Sequence, residues 1–154
     1  LVAQLELDGD HTMTLRALGN AGLKSNLDTI LEFVESDSAS ERAAVADALR
    51  KMGGPDIDAD IMDALVGLAG DEDGWVQQSA LSQLRERTLS AAGYEQLAHW
   101  VDEGRFEQSA GHALVKLAAQ SDLDERIFLL EALAQRSWPA TTTAWLNRLL
   151  AGAS

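Results

Sequence analysis

The chain has no cysteine and only two prolines among its 154 residues. Without cysteine, neither disulfides nor thiolate metal sites are available, and the sequence carries no redox signature of a compartment. Proline interrupts helices, so its scarcity leaves long segments free to be helical. Long stretches of strict apolar–polar alternation, which half-buried strands require, are also missing. Together these absences favour helices over strands.

Basic residues are few as well: 12 Lys and Arg stand against 25 Asp and Glu, and the formal net charge is −13. Nucleic acid and anionic membranes bind clustered Lys and Arg, so neither is an expected partner. No apolar run approaches the roughly 20 residues that span a bilayer. Because the start has no basic signal-peptide segment and no initiator Met, we interpret the chain as a piece of a longer protein. The acidity suits a basic partner, or simply keeps the protein soluble.

A helical motif recurs along the chain. Its leucines, Leu18, Leu49, Leu84 and Leu117, follow one another at steps of 31, 35 and 33 residues. This period is typical of helix-hairpin arrays, in which each unit buries its apolar face on its neighbours. We therefore predict an all-α fold, a right-handed α-α superhelix (a HEAT/armadillo-like solenoid) of about four helical hairpins plus a C-terminal capping helix. It is one domain over 1–154, the C-terminal part of a longer array. The units are 10–36, 37–70, 71–104 and 105–136, with a terminal helix at 139–151.

Local signals mark where the helices begin and end. Gly22 suits the left-handed position after a first helix expected over 11–21. Ser25 or Asn26 is the expected cap of the second helix. The spacing Ser38-x-x-Glu41 predicts a capping box, in which each side chain bonds the backbone of the other residue.

Apolar residues at helical spacing predict the buried faces. In chain order they are Leu27, Ile30, Leu31 and Val34; Ala44, Val45, Ala48, Leu49 and Met52; Ile57, Ile61, Ala64, Leu65 and Leu68; Val76, Ala80, Leu81 and Leu84; Tyr94, Leu97, Ala98 and Val101; Ala110, Ala113, Leu114 and Leu117; Leu123, Ile127, Leu130 and Ala134; and Thr142, Trp145, Leu146 and Leu149.

Residues of about 10–136 resemble HEAT-type α-helical repeats, and a unit of about 33 residues is closer to the compact PBS-lyase-like form. The first unit, LRALGNAG at 15–22 followed by Leu27 through Phe33, is similar to the helical domain of large lipid transfer proteins, the family of vitellogenin and microsomal triglyceride transfer protein. That resemblance implies a helical arc wrapped around a lipid-bearing β-cavity. The later units depart from the motif, and no segment here corresponds to the cavity.

The acidic spacing Asp56-x-Asp58-x-Asp60 is that of the start of a calcium loop. An EF-hand needs Gly at its sixth position and Glu at its twelfth, where this chain has Ile61 and Gly67. A helix cap followed by first-turn acids explains these residues better.

No other pattern predicts chemistry. The three histidines, at 11, 99 and 112, lie in separate units without metal-ligand spacing. No nucleophile elbow or glycine-rich phosphate loop is present. We predict no catalytic, cofactor-binding or metal site.

Two aromatic residues lie outside the apolar stripes of their helices. Around the helix axis, Trp100 is about 100° from the centre of its stripe, and Phe128 is more than 100° from its own. Packing on an adjacent unit is the favoured interpretation, and a partner-binding patch is the alternative. Trp75 and Trp138 border turns, where we expect them to pack at hairpin corners.

The working hypothesis is a non-enzymatic scaffold that binds a protein or a neighbouring domain of the same chain. The second helices of the hairpins are expected to line the concave side and to present the partner-binding residues. These are Asp28, Glu32, Asp60, Asp63, Glu95, His99, Trp100 and Phe128. The alternative is the helical domain of a lipid-transfer protein, which involves lipid only if the rest of the protein supplies a β-cavity. A third possibility is an enzyme accessory, as in PBS-type lyases.

Overall fold

A computed structural model describes residues 9–120 and 123–153. Within these ranges the chain forms nine α-helices and no β-strand, which confirms the all-helical prediction. The helices are α1 (Thr12–Ala21), α2 (Leu27–Leu31), α3 (Ala39–Leu49), α4 (Asp58–Ala69), α5 (Gly74–Leu84), α6 (Ala91–Asp102), α7 (Gly111–Ala119), α8 (Leu123–Ala134) and α9 (Ala140–Ala153). Short 3-10 turns precede α2 at Lys24–Asn26 and α7 at Gln108–Ala110. None of the helices described is both long and apolar enough to cross a bilayer.

The helices pack in two rows. Helices α1, α3, α5, α7 and α9 contact one another in that order, and α4, α6 and α8 do so in a second row. The rows also contact each other, with α4 on α5 and α8 on α7. Because the two rows pack face to face, the core is a layer of side chains held between them.

The predicted apolar stripes form that core. Every predicted position of α5, α6 and the segment 110–117 is buried. Helix α3 is buried on additional sides, because α1, α4 and α5 all contact it. Ala43 and Ala46 therefore join its predicted stripe. The C-cap of α1 is also as predicted: Gly22 has a φ of 65° and donates its N–H to the Gly19 carbonyl.

The second helix is shorter than predicted. Helix α2 ends at Leu31, and the Phe33 and Val34 N–H groups donate to carbonyls three residues back. Such bonds tighten the chain into 3-10 turns, so Val34 lies beyond the helix and is half-buried. The Phe33 ring packs on the ring of His11, the residue before α1, with a centroid distance of 5.1 Å, so the chain leaves its helical path where Phe33 makes this contact.

One predicted cap is absent, and the predicted capping box is only half formed. Asn26 does not cap α2, since its side-chain amide donates instead to the Leu18 carbonyl at 3.3 Å. Ser38 caps α3 as predicted, accepting the Glu41 N–H at 3.4 Å. The Glu41 carboxylate does not complete the box: it accepts the His11 backbone N–H at 3.0 Å and lies 2.7 Å from His11 Nδ1. A partner thirty residues away in sequence has displaced the local bond.

Helix α8 presents a different face to the core than predicted. Its buried positions are Leu129, Leu130, Ala132 and Leu133. Ala134 is exposed and Ile127 half-buried, because α6 and α7 cover α8 from two sides. The predicted Leu123 side chain lies outside the described residues.

The carboxyl-terminal helix is amphipathic as predicted, and the two turn tryptophans differ. Thr142 and Leu146 are buried, and Trp145 and Leu149 are half-buried. Trp138 is buried, and its indole N–H donates to the Leu133 carbonyl at 2.8 Å. Trp75 is 52% exposed, so its predicted packing role is wrong. Its neighbour Val76 takes the core-facing position of α5, which directs Trp75 to solvent.

Candidate functional site

Helix α4 places two of the predicted acids on its outer face. The side chains of Ile61 and Leu65 are fully buried. Residues three apart on a helix share a side, so Asp60 and Asp63 both lie on the opposite, exposed side. This side of α4 faces the carboxyl end of α2 and the turn that follows it.

Between these elements lies a groove of about 540 Å³, which we call the acidic groove. Its lining is Leu31, Glu32, Val34, Glu35, Asp60, Asp63 and Ala64. Leu31, Val34 and Ala64 are half-buried and supply apolar surface between the acids. The described lining contains four carboxylates and no Lys, Arg or His. The groove therefore combines apolar contact area with uncompensated negative charge.

A second groove of about 310 Å³, the aromatic groove, lies between α4 and α6. Its lining is Met62, Asp63, Val66, Gly67, Ser90, Ala92, Gly93, Gln96 and Trp100. Small residues on both walls leave space above the backbone, and Met62, Val66 and Trp100 provide the apolar surface. Asp63 lines both grooves, so the two adjoin along α4.

Trp100 packs within the fold and also lines the aromatic groove. A methyl group at Gly70 would lie 2.6 Å from its ring, so the indole rests directly on the end of α4. The Arg105 guanidinium lies 5.5 Å from the ring centroid, a cation–π arrangement. Nearby, His99 Nε2 is 3.3 Å from a Glu103 carboxylate oxygen, and Arg105 Nε is 2.7 Å from the other. For Trp100 the geometry fits the packing interpretation, with part of the ring still accessible.

The remaining predicted residues lie apart from the grooves. Asp28 is exposed on α2, about one turn before Glu32. Glu95 and His99 are exposed on α6, and Phe128 is 53% exposed on α8. None of these four lines either groove. The structure thus assembles Glu32, Asp60, Asp63 and Trp100, and it leaves the other four outside.

Asp56 and Asp58, the first two acids of the calcium-like spacing, form hydrogen bonds with other residues of the chain. Lys24 Nζ is 2.5 Å from an Asp56 carboxylate oxygen, and this hydrogen bond holds the pKa of Asp56 below its usual value of 3.8. Asp58 accepts the Gly54 N–H at 3.0 Å. Neither side chain caps α4, whose N-cap is Ile57, so the predicted cap is wrong while the first-turn acids are present. Among the described residues, no group of three or more His, Cys, Asp or Glu has the placement of a metal site.

The groove residues that were not predicted as site residues include Glu35, Met62 and Gly67. Glu35 follows Glu32 by three residues, a spacing that would have signalled a shared side had the helix continued. Met62 carries no distinguishing signal. Gly67 follows Asp60 and Asp63 on the exposed face at i+7 and i+4, and this periodicity is visible in the sequence.

Comparison with protein-family models, with curated proteins and with solved structures gives no match to this chain. The resemblances to HEAT-type repeats and to large lipid transfer proteins therefore stay predictions. Any function proposed for the chain depends on its own geometry.

Proposed function

We propose that the chain is a HEAT/armadillo-like array, a right-handed α-α superhelix of four hairpins and a terminal helix. Support comes from polar links between residues about one unit apart. His11 meets Glu41 and Arg42 meets Asp71, at separations of 30 and 29 residues. Further along, a Gln77 side-chain N–H donates to the Arg105 carbonyl at a separation of 28.

The last link of this series has the same form. The Gln108 side chain donates to the Ser137 carbonyl, 29 residues on, at 2.6 Å. Links of 28 to 30 residues that recur from the start of α1 to the turn before α9 are what an array of stacked units requires.

The proposed function is a non-enzymatic scaffold that binds a protein or a neighbouring domain of the same chain. The observation that carries this proposal is the acidic groove, where Glu32, Asp60 and Asp63 flank half-buried apolar residues. Interfaces combine an apolar centre with charged surroundings that select the partner. Concave surfaces built from successive helices are how repeat arrays commonly present such features.

The test is affinity capture from extracts of the source organism, with the wild-type chain and a groove variant as baits. The groove variant is Glu32→Lys/Asp60→Lys/Asp63→Lys. Proteins retained by the wild-type chain and lost by this variant, identified by mass spectrometry, are the expected result.

A matched control separates the groove from overall charge. Glu86→Lys/Asp124→Lys/Glu131→Lys makes the same charge change at exposed acids of the carboxyl-terminal half. Circular dichroism melts of all three proteins verify folding. The proposal requires the control to retain the captured proteins. Equal capture by the groove variant would contradict it.

A further inference from the structure

The outer ridge of α4 is interrupted at Gly67. Asp60, Asp63 and Gly67 follow one another along the exposed side of the helix. A methyl group at Gly67 would meet nothing within 4 Å, so no neighbouring atom fills the space above it. With no side chain there, the ridge between the two sides of α4 is lowest at this residue.

Gly67 is also shared by surfaces on both sides of the helix. On one side it lines the aromatic groove with Val66 and Trp100. On the other it lines a depression of about 470 Å³ together with Val34 and Glu35, which both belong to the acidic groove as well. A chain lying across α4 over Gly67 can therefore contact both grooves.

The two sides of this crossing differ in chemistry. The α2 side carries the four carboxylates of the acidic groove. They are divided between the two walls of the groove, with Asp60 and Asp63 on α4 and Glu32 and Glu35 just after α2. No described group of three or more acids is placed to hold a metal ion. The α6 side offers Met62, Val66 and part of the Trp100 ring. Spread carboxylates suit separate cationic side chains, and the apolar side suits a large hydrophobic one.

Resting on the proposed function, we propose that the occupant is an extended basic segment of a partner protein that crosses α4 over Gly67. Its Lys or Arg side chains pair with Asp60, Asp63 and Glu32 in the acidic groove. A large apolar side chain a few residues away enters the aromatic groove beside Trp100. Charge complementarity selects the basic residues, and the missing side chain at Gly67 gives the backbone its path.

The cation that lines the depression beside Gly67 is already engaged. Arg42 lines the depression beside Gly67, and its guanidinium bonds both carboxylate oxygens of Asp71, at 2.8 and 3.0 Å. Its charge is matched there, so the acids of the acidic groove keep theirs for a partner.

The experiment uses short random peptides displayed on phage and selected against the folded chain. Enriched peptides are synthesised with a fluorescent label, and their affinities are measured by fluorescence anisotropy. We expect enriched sequences to combine Lys or Arg with one large apolar residue. Asp60→Asn/Asp63→Asn should weaken their binding about tenfold, the effect of losing roughly 1.4 kcal/mol of ion pairing.

The steric variant tests the crossing itself. Gly67→Leu fills the low point of the ridge without meeting another atom at Cβ, so it should fold normally and weaken the same peptides at least tenfold. The matched control is Gly152→Leu on α9, where a Cβ also meets nothing within 4 Å and affinity should not change.

The results of these binding experiments separate the basic-segment inference from the scaffold proposal. Apolar or acidic enriched peptides would overturn the basic-segment inference while the scaffold proposal is judged by its own capture experiment. Basic peptides that bind Gly67→Leu as tightly as wild type would overturn the crossing. The phage selection is also run against the Glu32→Lys/Asp60→Lys/Asp63→Lys variant. If the wild-type chain enriches no peptides beyond those that this variant enriches, the inference is wrong. If the wild-type chain captures a folded protein from the extract but selects no basic peptides, the scaffold proposal stands and the basic-segment inference is wrong.

Discussion

Gly19 lies against the backbone of Ala48: a methyl group at Gly19 would be 2.3 Å from both the Cα and the carbonyl oxygen of Ala48. The two residues join α1 to α3, and no side-chain movement can relieve such a clash because the opposing atoms are backbone. Only glycine allows the two helices to come this close.

Gly19→Ala should therefore force the helices apart and lower the free energy of unfolding by about 1–3 kcal/mol, despite alanine's better helix propensity. Gly67→Ala is the control, since its methyl group meets open space in α4. It should raise the free energy of unfolding by about 0.5–1 kcal/mol. Urea titrations followed by circular dichroism measure both. A neutral or stabilising Gly19→Ala would mean that α1 and α3 do not approach as described.

Arg42 and Asp71 form a two-pronged ion pair between α3 and the turn before α5. Their side chains are only 12% and 11% exposed, and the hydrogen bond with Asp71 raises the pKa of Arg42 above its usual value. Arg42→Met leaves a largely buried carboxylate without its cation and should cost about 2–3 kcal/mol, less than for a fully buried pair.

Lys24→Met is the matched control for that change. It breaks the pair with Asp56, whose partners are 51% and 64% exposed, so it should have little measurable effect on stability. Chemical denaturation at fixed pH compares the two. Equal losses for both variants would contradict the assigned role of Arg42.

Glu41 predicts a pH dependence of stability. Burial of its carboxylate opposes ionisation, but hydrogen bonds from the Ser36 hydroxyl, the His11 backbone and the His11 ring outweigh burial. The pKa of Glu41 in the folded chain is therefore below its usual 4.5. A lowered folded-state pKa contributes stability that is present above the unfolded pKa and is lost as pH falls through the folded pKa.

Glu41→Gln should accordingly be less stable than wild type above pH 4.5, and the difference should shrink as the pH falls below that value. Thermal melts across the acid range measure the difference, and Glu95→Gln at an exposed position controls for the loss of one negative charge. A difference that stays constant or grows with acidity would show that this network does not favour the ionised carboxylate.

Gln77 is fully buried and ties α5 to two loops. Its amide nitrogen donates to the carbonyls of Asp71 and Arg105, both at 2.7 Å. Gln77→Glu replaces that donor with an oxygen facing two carbonyl oxygens, which should cost about 2–4 kcal/mol. Gln78→Glu, at a half-buried position one residue on, is the control. An unfolding free energy equal for the two variants would contradict the bonding described for Gln77.

The buried face of α5 was predictable because it depends on period alone. Val76, Ala80 and Leu84 recur at helical spacing and are all buried. Links between distant residues were not predictable: nothing near Glu41 in sequence indicates that His11 would take its carboxylate. Local rules assigned Glu41 to Ser38, and tertiary contact overrode them.

The candidate site was predictable only in part. Asp60 and Asp63 follow from the exposed side of one helix, but their grouping with Glu32 depends on how α2 turns after Leu31. Because α2 ends at Leu31, Val34 and Glu35 lie in the turn that lines the groove. The exposure of Trp75 was not predictable either, since its position at a turn does not show that Val76 takes the core-facing position of α5.

The proposed binding surface is the outer side of α2, α4 and α6. Two-dimensional amide NMR of the isotopically labelled chain, titrated with an enriched basic peptide, tests it directly. If this proposal is right, the largest chemical-shift changes fall at residues 31–35, 60–67 and 92–100. Changes confined to the outer surface of α1, α3 and α5, with those three segments unaffected, would contradict it.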